Sequence, residues 1–508
     1  MLIKSSLALT VVAVLAVAQT PPQIPSGAPP SHPRLLFTQL SKGALQAKVL
    51  AAGTVSNAAY NALATYSSFQ TSGPPSISNQ GSTTVTWSLR RMTEVAFRYQ
   101  MTGNTGYGNN AKNALLAACN YLIPQGATTT YVQHTYPAAL ALTFDMVYPL
   151  LSASEKATVV GHLEQWISAI AGGSSFAPLS YFNAATENKS FSSFAGAALA
   201  GMAIWGDSNY PNLLNSVQAN LLRLQNGYRD AFSPDGSVDE SYGYYNYGEM
   251  NSLNAAIASE GCGFGDILSG TNVLKTPRWL TASLMGTQFV WHGDSGSSHK
   301  GMRLDTIGYY VINRTQDPVG LWGQLRIEEL QPITDWTVSQ AYSPWLNKAM
   351  HFPEGLAATL PAKLSSFYRD NLNEGSANSN KTTAYFGVGE GGHALLHNST
   401  SPADKMLGVF YMIRDEWMPH AHEDDGHIAI ASEGQHQHQD VGYGGYAEAQ
   451  STAHIIVLVA GVAGFNGGTT NYYNPPGPDG RFHGSLGSLA LTPTFDYVRG
   501  NHEHMWMM

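Results

Sequence analysis

Apolar residues recur at three- and four-residue steps through the first two thirds of the chain, the spacing of amphipathic helices. The segments Trp87 to Thr102, Asn110 to Leu122, Ala138 to Leu151, Ser154 to Ala171 and Phe191 to Trp205 all show it. Ser152-Ala153-Ser154-Glu155 supplies a capping signal ahead of one of them. Turn clusters at Thr102 to Gly106 and at 206–209 separate the helices. Helices joined by short turns pair antiparallel. Repeated pairs of this length suggest a solenoid or an α/α toroid, and with no strict sequence repeat the periodicity leaves both open.

After about residue 380 the pattern shortens. Thr382 to Leu396, Met406 to Ile413, His427 to Ser432 and His454 to Val459 are rich in aromatic or branched residues, with Gly in or near most of them, and read as antiparallel strands. The fold class expected is therefore α+β and multidomain. An N-terminal (α/α) toroid of helix hairpins spans 33–353, a linker spans 354–381 and an antiparallel β-sandwich spans 382–508, with a site at the junction.

The first residues read as a secretory signal over 1–18. Lys4 is the positive start, Leu7 to Leu15 the apolar core and Ala16-Val17-Ala18 the cleavage site, so the mature protein is expected outside the cytoplasm, secreted or periplasmic, and free of the membrane. A Pro-rich leader with no core of its own follows over 19–32. Cys119 and Cys262 are the only cysteines, too few for a thiolate zinc cluster, and the sequence leaves their pairing open.

Composition narrows the function. The net charge is −9, which argues against a nucleic-acid partner, and only 12% of residues are charged, far below a coiled coil or a disordered tail. Of the 17 histidines, six precede residue 352 and eleven lie between His393 and His504, so the last quarter uses imidazole. The sharpest cluster is His420-Ala421-His422-Glu423-Asp424, with Asp440 and His454 downstream. A His/Asp/His set suits one zinc ion, with imidazole nitrogens and a carboxylate oxygen as donors. In the first half, DGSVDESYGYYNYGE (Asp235 to Glu249) places tyrosines beside glycines, a composition that lines sugar clefts. A tyrosine beside a cation can also exchange a proton. Asn183, Asn188 and Lys189 open an apolar helix, where polar side chains and free N–H groups can meet an anion.

These segments resemble the heparinase II/III-like polysaccharide lyases, a family that includes alginate, heparin and heparan lyases. SHPRLLFT (Ser31 to Thr38) resembles the opening of the family's toroid, and DGSVDESYGYYNYG its tyrosine segment. HAHEDDGHIAIASEG, then DVG, then AHIIV resembles its H-x-H-x-D…G…D-x-G…H pattern. The resemblance implies β-elimination at a uronic acid within an anionic polysaccharide. It implies Tyr244 as the catalytic tyrosine, Asn188 as the neutraliser of the C6 carboxylate and His420 as the active-site histidine. It implies His422, Asp440 and His454 as ligands of one structural zinc.

This chain departs from the family in reading Asn188-Lys189 for Asn-His and Glu240-Ser241 for Glu-Gly. With no histidine after Asn188, Tyr244 is expected to act as base and acid, with help from His420 or Lys189. His134, Arg91, Tyr245 and Glu240 are the candidates for substrate contact. The low Lys+Arg content favours a carboxylate polymer such as alginate or glucuronan over a sulfated one. Two other readings remain: a toroid glycoside hydrolase using Asp235, Asp239 or Glu240, and a non-catalytic glycan-binding protein.

Overall fold

The computed structural model describes residues 19–65, 83–121, 136–171, 188–232, 236–237, 251–285, 288–289, 305–330 and 344–360, and the strands named below. In order, the helices are α1 (Gln39–Leu50), α2 (Val55–Thr65), α3 (Thr83–Thr102), α4 (Thr105–Tyr121), α5 (Tyr136–Val147) and α6 (Ala153–Ala171). They continue with α7 (Asn188–Ile204), α8 (Leu213–Asp230), α9 (Asn251–Gly261), α10 (Thr276–Ala282), α11 (Asp305–Thr315), α12 (Pro318–Leu330), α13 (Pro344–His351) and α14 (Glu354–Ala357). Five of the expected helices are thus found within a few residues of their reading. The capping signal is real: Ser152 N–H donates to Glu155 Oε2 at 2.7 Å and Glu155 N–H to Ser152 Oγ at 3.3 Å.

The helices form hairpins, and alternate helices touch across them. α3 packs on α5, α5 on α7 and α7 on α9, while α11 packs on α13 and α13 on α2. Early and late helices therefore meet. Lys48 on α1 donates to the Met350 carbonyl at 2.7 Å, and the Ser56 N–H of α2 donates to Glu354 at 2.7 Å. The alternation has a compositional cause. Every residue of α5 is buried, and α7 is buried from Ser190 onward, because these helices are apolar or small on all sides. α8 keeps an exposed face with Leu222 and Arg223 on it. Gly201 lets α7 and α8 close up, since a Cβ there would run into the Val217 side chain.

The inner helices run in one direction. Thr93 of α3 bonds Thr143 of α5 at 3.2 Å, and Gln100 of α3 donates to the Met146 carbonyl nearer the other end of α5. Phe191 at the start of α7 meets Tyr228, whose hydroxyl bonds Ser252 at the start of α9. Trp205 just beyond α7 meets Phe264 just beyond α9. Short links at 103–104, 205–212 and 316–317 consequently share one end of the bundle. The starts of α3, α5, α7 and α9 lie at the other.

The Pro-rich leader is docked. Gln225 donates to the Thr20 carbonyl, Gln218 to the Pro22 carbonyl, and Gln23 N–H to the Phe264 carbonyl, so residues 19–23 run along α8 and past the link after α9. Cys119 and Cys262 are both buried and free, and burial pushes each thiol up to about 12.

The strands are β1 (Leu284–Met285), β2 (Gln288–Phe289), β3 (Ala384–Phe386), β4 (Gly392–His397), β5 (Gly408–Ile413), β6 (Ile428–Ser432), β7 (Gln435–His438), β8 (Ser485–Leu491) and β9 (Asp496–Asn501). β3 to β7 form an antiparallel meander, and β8 pairs with β9. Thr382 to Leu396, read as one strand, is therefore mostly a hairpin, with Tyr385 opposite Ala394. The strand expected at His454 to Val459 lies outside the described residues.

Candidate active site

The two ends of the helical bundle differ in chemistry. At the short-turn end the polar groups are locked to each other. Asp145, near the end of α5, accepts the Arg34 N–H at 2.9 Å and the Leu35 N–H at 3.0 Å, and meets His32 Nδ1 at 2.6 Å. The Arg34 guanidinium donates to the carbonyls of Pro30, Ala203 and Trp205, each at 2.8 Å. Burial lowers the Arg34 pKa, and the carboxylate of Asp145 opposes that. His32 stacks on Tyr148 with ring centroids 3.8 Å apart. Burial, together with the bond from its hydroxyl to Asp207, pushes the Tyr148 phenol up to about 12. SHPRLLFT is thus a clasp, holding the chain before α1 against the ends of α5 and α7.

At the long-connection end, α3, α5, α7 and α9 all present their N-termini, and none has an acidic residue in its first turn. The helix dipoles, with Lys189 in the first turn of α7, give that end a positive potential. Polar side chains lie buried just beneath. Ser190, Ser192 and Ser193 follow the start of α7, and Ser252 and Asn254 follow the start of α9. On α3, Arg91 Nη1 meets Glu94 Oε2 at 3.2 Å, and Arg90 Nε lies 3.7 Å from Glu94 Oε1. Two buried guanidinium groups thus flank the Glu94 carboxylate. Glu94 was not singled out in the sequence; the spacing Arg90-Arg91-x-x-Glu94 was its available signal.

Asn188 and Lys189 are the first two residues of α7. Arg91 is buried and paired with Glu94. His134, Glu240, Tyr244 and Tyr245 lie outside the described residues. His420, His422, Asp440 and His454 also lie outside them. The hairpin of β6 and β7 sits between His422 and Asp440 in the chain. Its antiparallel pairing brings the strand carrying His438 back beside Ile430, so the chain enters and leaves the hairpin at one end. Among the described residues no group of three His, Cys, Asp or Glu could hold a metal ion, and no helix is long and apolar enough to cross a membrane.

No protein-family profile matches the chain, and no curated protein matches it. Solved structures do. The heparinase III BT4657 gene product is similar at 11% identity and a TM-score of 0.42, over 75% of this chain and 56% of that one. Its form with methylated lysines gives 11% and 0.41 over the same shares. A crystal structure of heparinase III is similar at 12% identity and a TM-score of 0.42, over 92% of this chain and 65% of that one. The chain thus spans between half and two thirds of the length of these proteins. At such identity and TM-score the likeness says nothing of substrate or chemistry.

Proposed function

We propose that the protein is a secreted polysaccharide lyase that cleaves a uronic-acid polymer, alginate or glucuronan, by β-elimination. The observation that carries the reading is the convergence of chemistry on one end of the bundle. Asn188 and Lys189 open α7 there, and Asn251, the first described residue after Tyr244 in the chain, opens α9 there. The N-termini of four inner helices favour an anion at the same end.

In the proposed reaction Asn188 binds the C6 carboxylate of the uronate and stabilises the charge that develops as C5 loses its proton. The C5–H bond breaks toward the phenolate oxygen of Tyr244. The C4=C5 double bond forms as the C4–O4 bond breaks, and the Tyr244 hydroxyl returns its proton to O4. Lys189 stands where many family members have histidine, and its charge would hold the tyrosine phenolate or the substrate carboxylate. His420 would assist as base, and His134, Tyr245 and Glu240 would line the sugar, while Arg91, buried against Glu94, would act only through its charge.

The late strands would form a sandwich, a reading supported by the approach of β8 to β4. His422, Asp440 and His454 would hold one structural zinc in it. Two imidazoles and a carboxylate suit that ion, and the hairpin of β6 and β7 returns the chain so that the flanks carrying His422 and Asp440 leave from one end. Zinc when bound would cross-link those flanks and stabilise the fold. Finding no metal in the purified protein would remove that assignment.

The test is an ultraviolet absorbance screen against alginate, polyguluronate, polymannuronate, glucuronan, hyaluronan, chondroitin and heparin. A lyase leaves an absorbing unsaturated sugar on at least one of them. Cleavage without new absorbance would sink the lyase reading in favour of hydrolysis through Asp235, Asp239 or Glu240. Binding without cleavage would leave a glycan-binding protein.

A further inference from the structure

The short-turn end carries an open pocket that the proposed reaction does not use. Its volume is about 390 Å³, and its lining includes Lys48, Asn313, Gln316, Pro353, Glu354 and Leu356. It forms where α1, α11 and α13 end, at the place where early and late helices meet. The start of α11, eleven residues back, is about 16 Å away at a rise of about 1.5 Å per residue. The pocket is therefore separate from the long-connection end.

Three features define what fits it. First, Gln316 is held at φ 53°, a left-handed conformation that glycine or asparagine usually takes after a helix. Its Nε2 donates to the Asn313 carbonyl at 2.5 Å, which leaves its Oε1 to accept. Second, the local potential does not favour an anion. Helix C-termini of α1, α11 and α13 are offset by the N-termini of α2, α12 and α14, and the Lys48 ammonium is offset by the Glu354 carboxylate, so the potential is balanced and suits a neutral ligand. Burial pulls that ammonium down to about 8 against the opposing pull of Glu354. Third, Pro353 and Leu356 supply an apolar surface beside the amides of Asn313 and Gln316. Amides and a carboxylate beside an apolar surface suit a ring with hydroxyls on its edge and C–H groups on its face.

We propose that this pocket binds a neutral pyranose residue, a second glycan site beside the catalytic one. Resting on the lyase reading, the substrate class becomes a heteropolysaccharide that interleaves neutral sugars with uronates. The binding of the sugar itself does not depend on that reading.

The experiment is ligand-observed NMR of the full chain with glucose, galactose, mannose, xylose and glucuronate. At least one neutral sugar is expected to bind in the millimolar range, and glucuronate about tenfold more weakly or not at all. Gln316→Gly removes the amide yet suits the left-handed backbone. It should weaken binding by about tenfold while Tm stays level or rises. Asn313→Ala should weaken it similarly, and Tyr244→Phe should leave it unchanged. The proposal is overturned if no neutral sugar binds, if glucuronate binds equally well, or if both amide variants bind like the parent. Sugar binding without lyase turnover would sink the lyase reading alone. Turnover without sugar binding would sink the pocket alone.

Discussion

The two ends of the helical bundle divide the work of the molecule. At the short-turn end the chain reverses over 103–104 and 316–317, and side chains lock onto carbonyls and carboxylates across long sequence separations. At the other end α3, α5, α7 and α9 begin, with Asn188 and Lys189 opening α7, and in the sequence His134 and Tyr244 fall shortly before the starts of α5 and α9. Short turns are set by packing, so a change there should cost stability. Long connections are free to carry reacting groups on a rigid scaffold, so a change there should cost turnover.

The largest effect that tests this division is expected from Tyr244→Phe. Removing the proton-transfer group should lower turnover by at least about 10²-fold and leave the melting temperature unchanged. Near-normal activity, or a large loss of stability, would break the comparison at its chemical end.

The next largest is Asp145→Ala. It would leave the buried Arg34 and Leu35 N–H groups and the His32 ring without their carboxylate partner, and remove the charge that opposes the buried Arg34 guanidinium. Removing one partner of a buried charge network costs about 3–5 kcal/mol. Denaturant unfolding should show that loss, while activity per folded molecule stays level. If instead turnover fell with stability intact, the clasp would belong to the site.

Much of the short-turn end was legible only in part. The helices from Trp87 to Trp205 followed from apolar spacing, a buried stripe at 3.6 residues in α4 and α6 and a wholly apolar surround in α5 and α7. The start of α3 at Thr83 did not, since its first turn is polar and carries no such stripe. β7 was missed because Gln435-His436-Gln437-His438 has no apolar alternation; pairing with β6 makes it a strand. Asp145 reads as one more position in an apolar helix, and its partners lie 110 to 113 residues away. The docking of the leader was equally hidden, because its proline-flanked carbonyls bond glutamines about 200 residues on. The candidate site residues were proposed on a different signal, since Tyr244 and His420 stand in tyrosine and histidine runs that a family resemblance can match, and both lie outside the described residues.

A smaller effect sharpens the comparison through pH. His351 ends α13 at the short-turn end, with its Nε2 sealed from water and its ring beside Tyr310. Burial first, and the Lys48 charge second, pull this imidazole down to about 3. The unfolded chain takes up the proton near pH 6.5, whereas the folded chain refuses it until about 3. Stability should therefore decline as pH falls through that window. His351→Phe should flatten the decline, measured as unfolding midpoints at pH 7 and pH 5. An unchanged slope would place the acid-sensitive group elsewhere.

The smallest expected effect is at the start of α6. Ser152 and Glu155 cap each other's backbone N–H, and Lys112 lies 3.2 Å from the Glu155 carboxylate. The Ser152 backbone N–H, then Lys112, hold the Glu155 carboxyl below its usual range. Its contribution is accordingly present above the ordinary glutamate pKa and lost as pH falls through the lowered one. Ser152→Ala removes the side-chain cap but leaves the N–H that Glu155 accepts, so it should cost only about 1 kcal/mol. Because the cap is exposed and lies among short turns, turnover should not change. A loss of activity from so small a change in stability would show that the two ends communicate, and that the division between packing and chemistry is not strict.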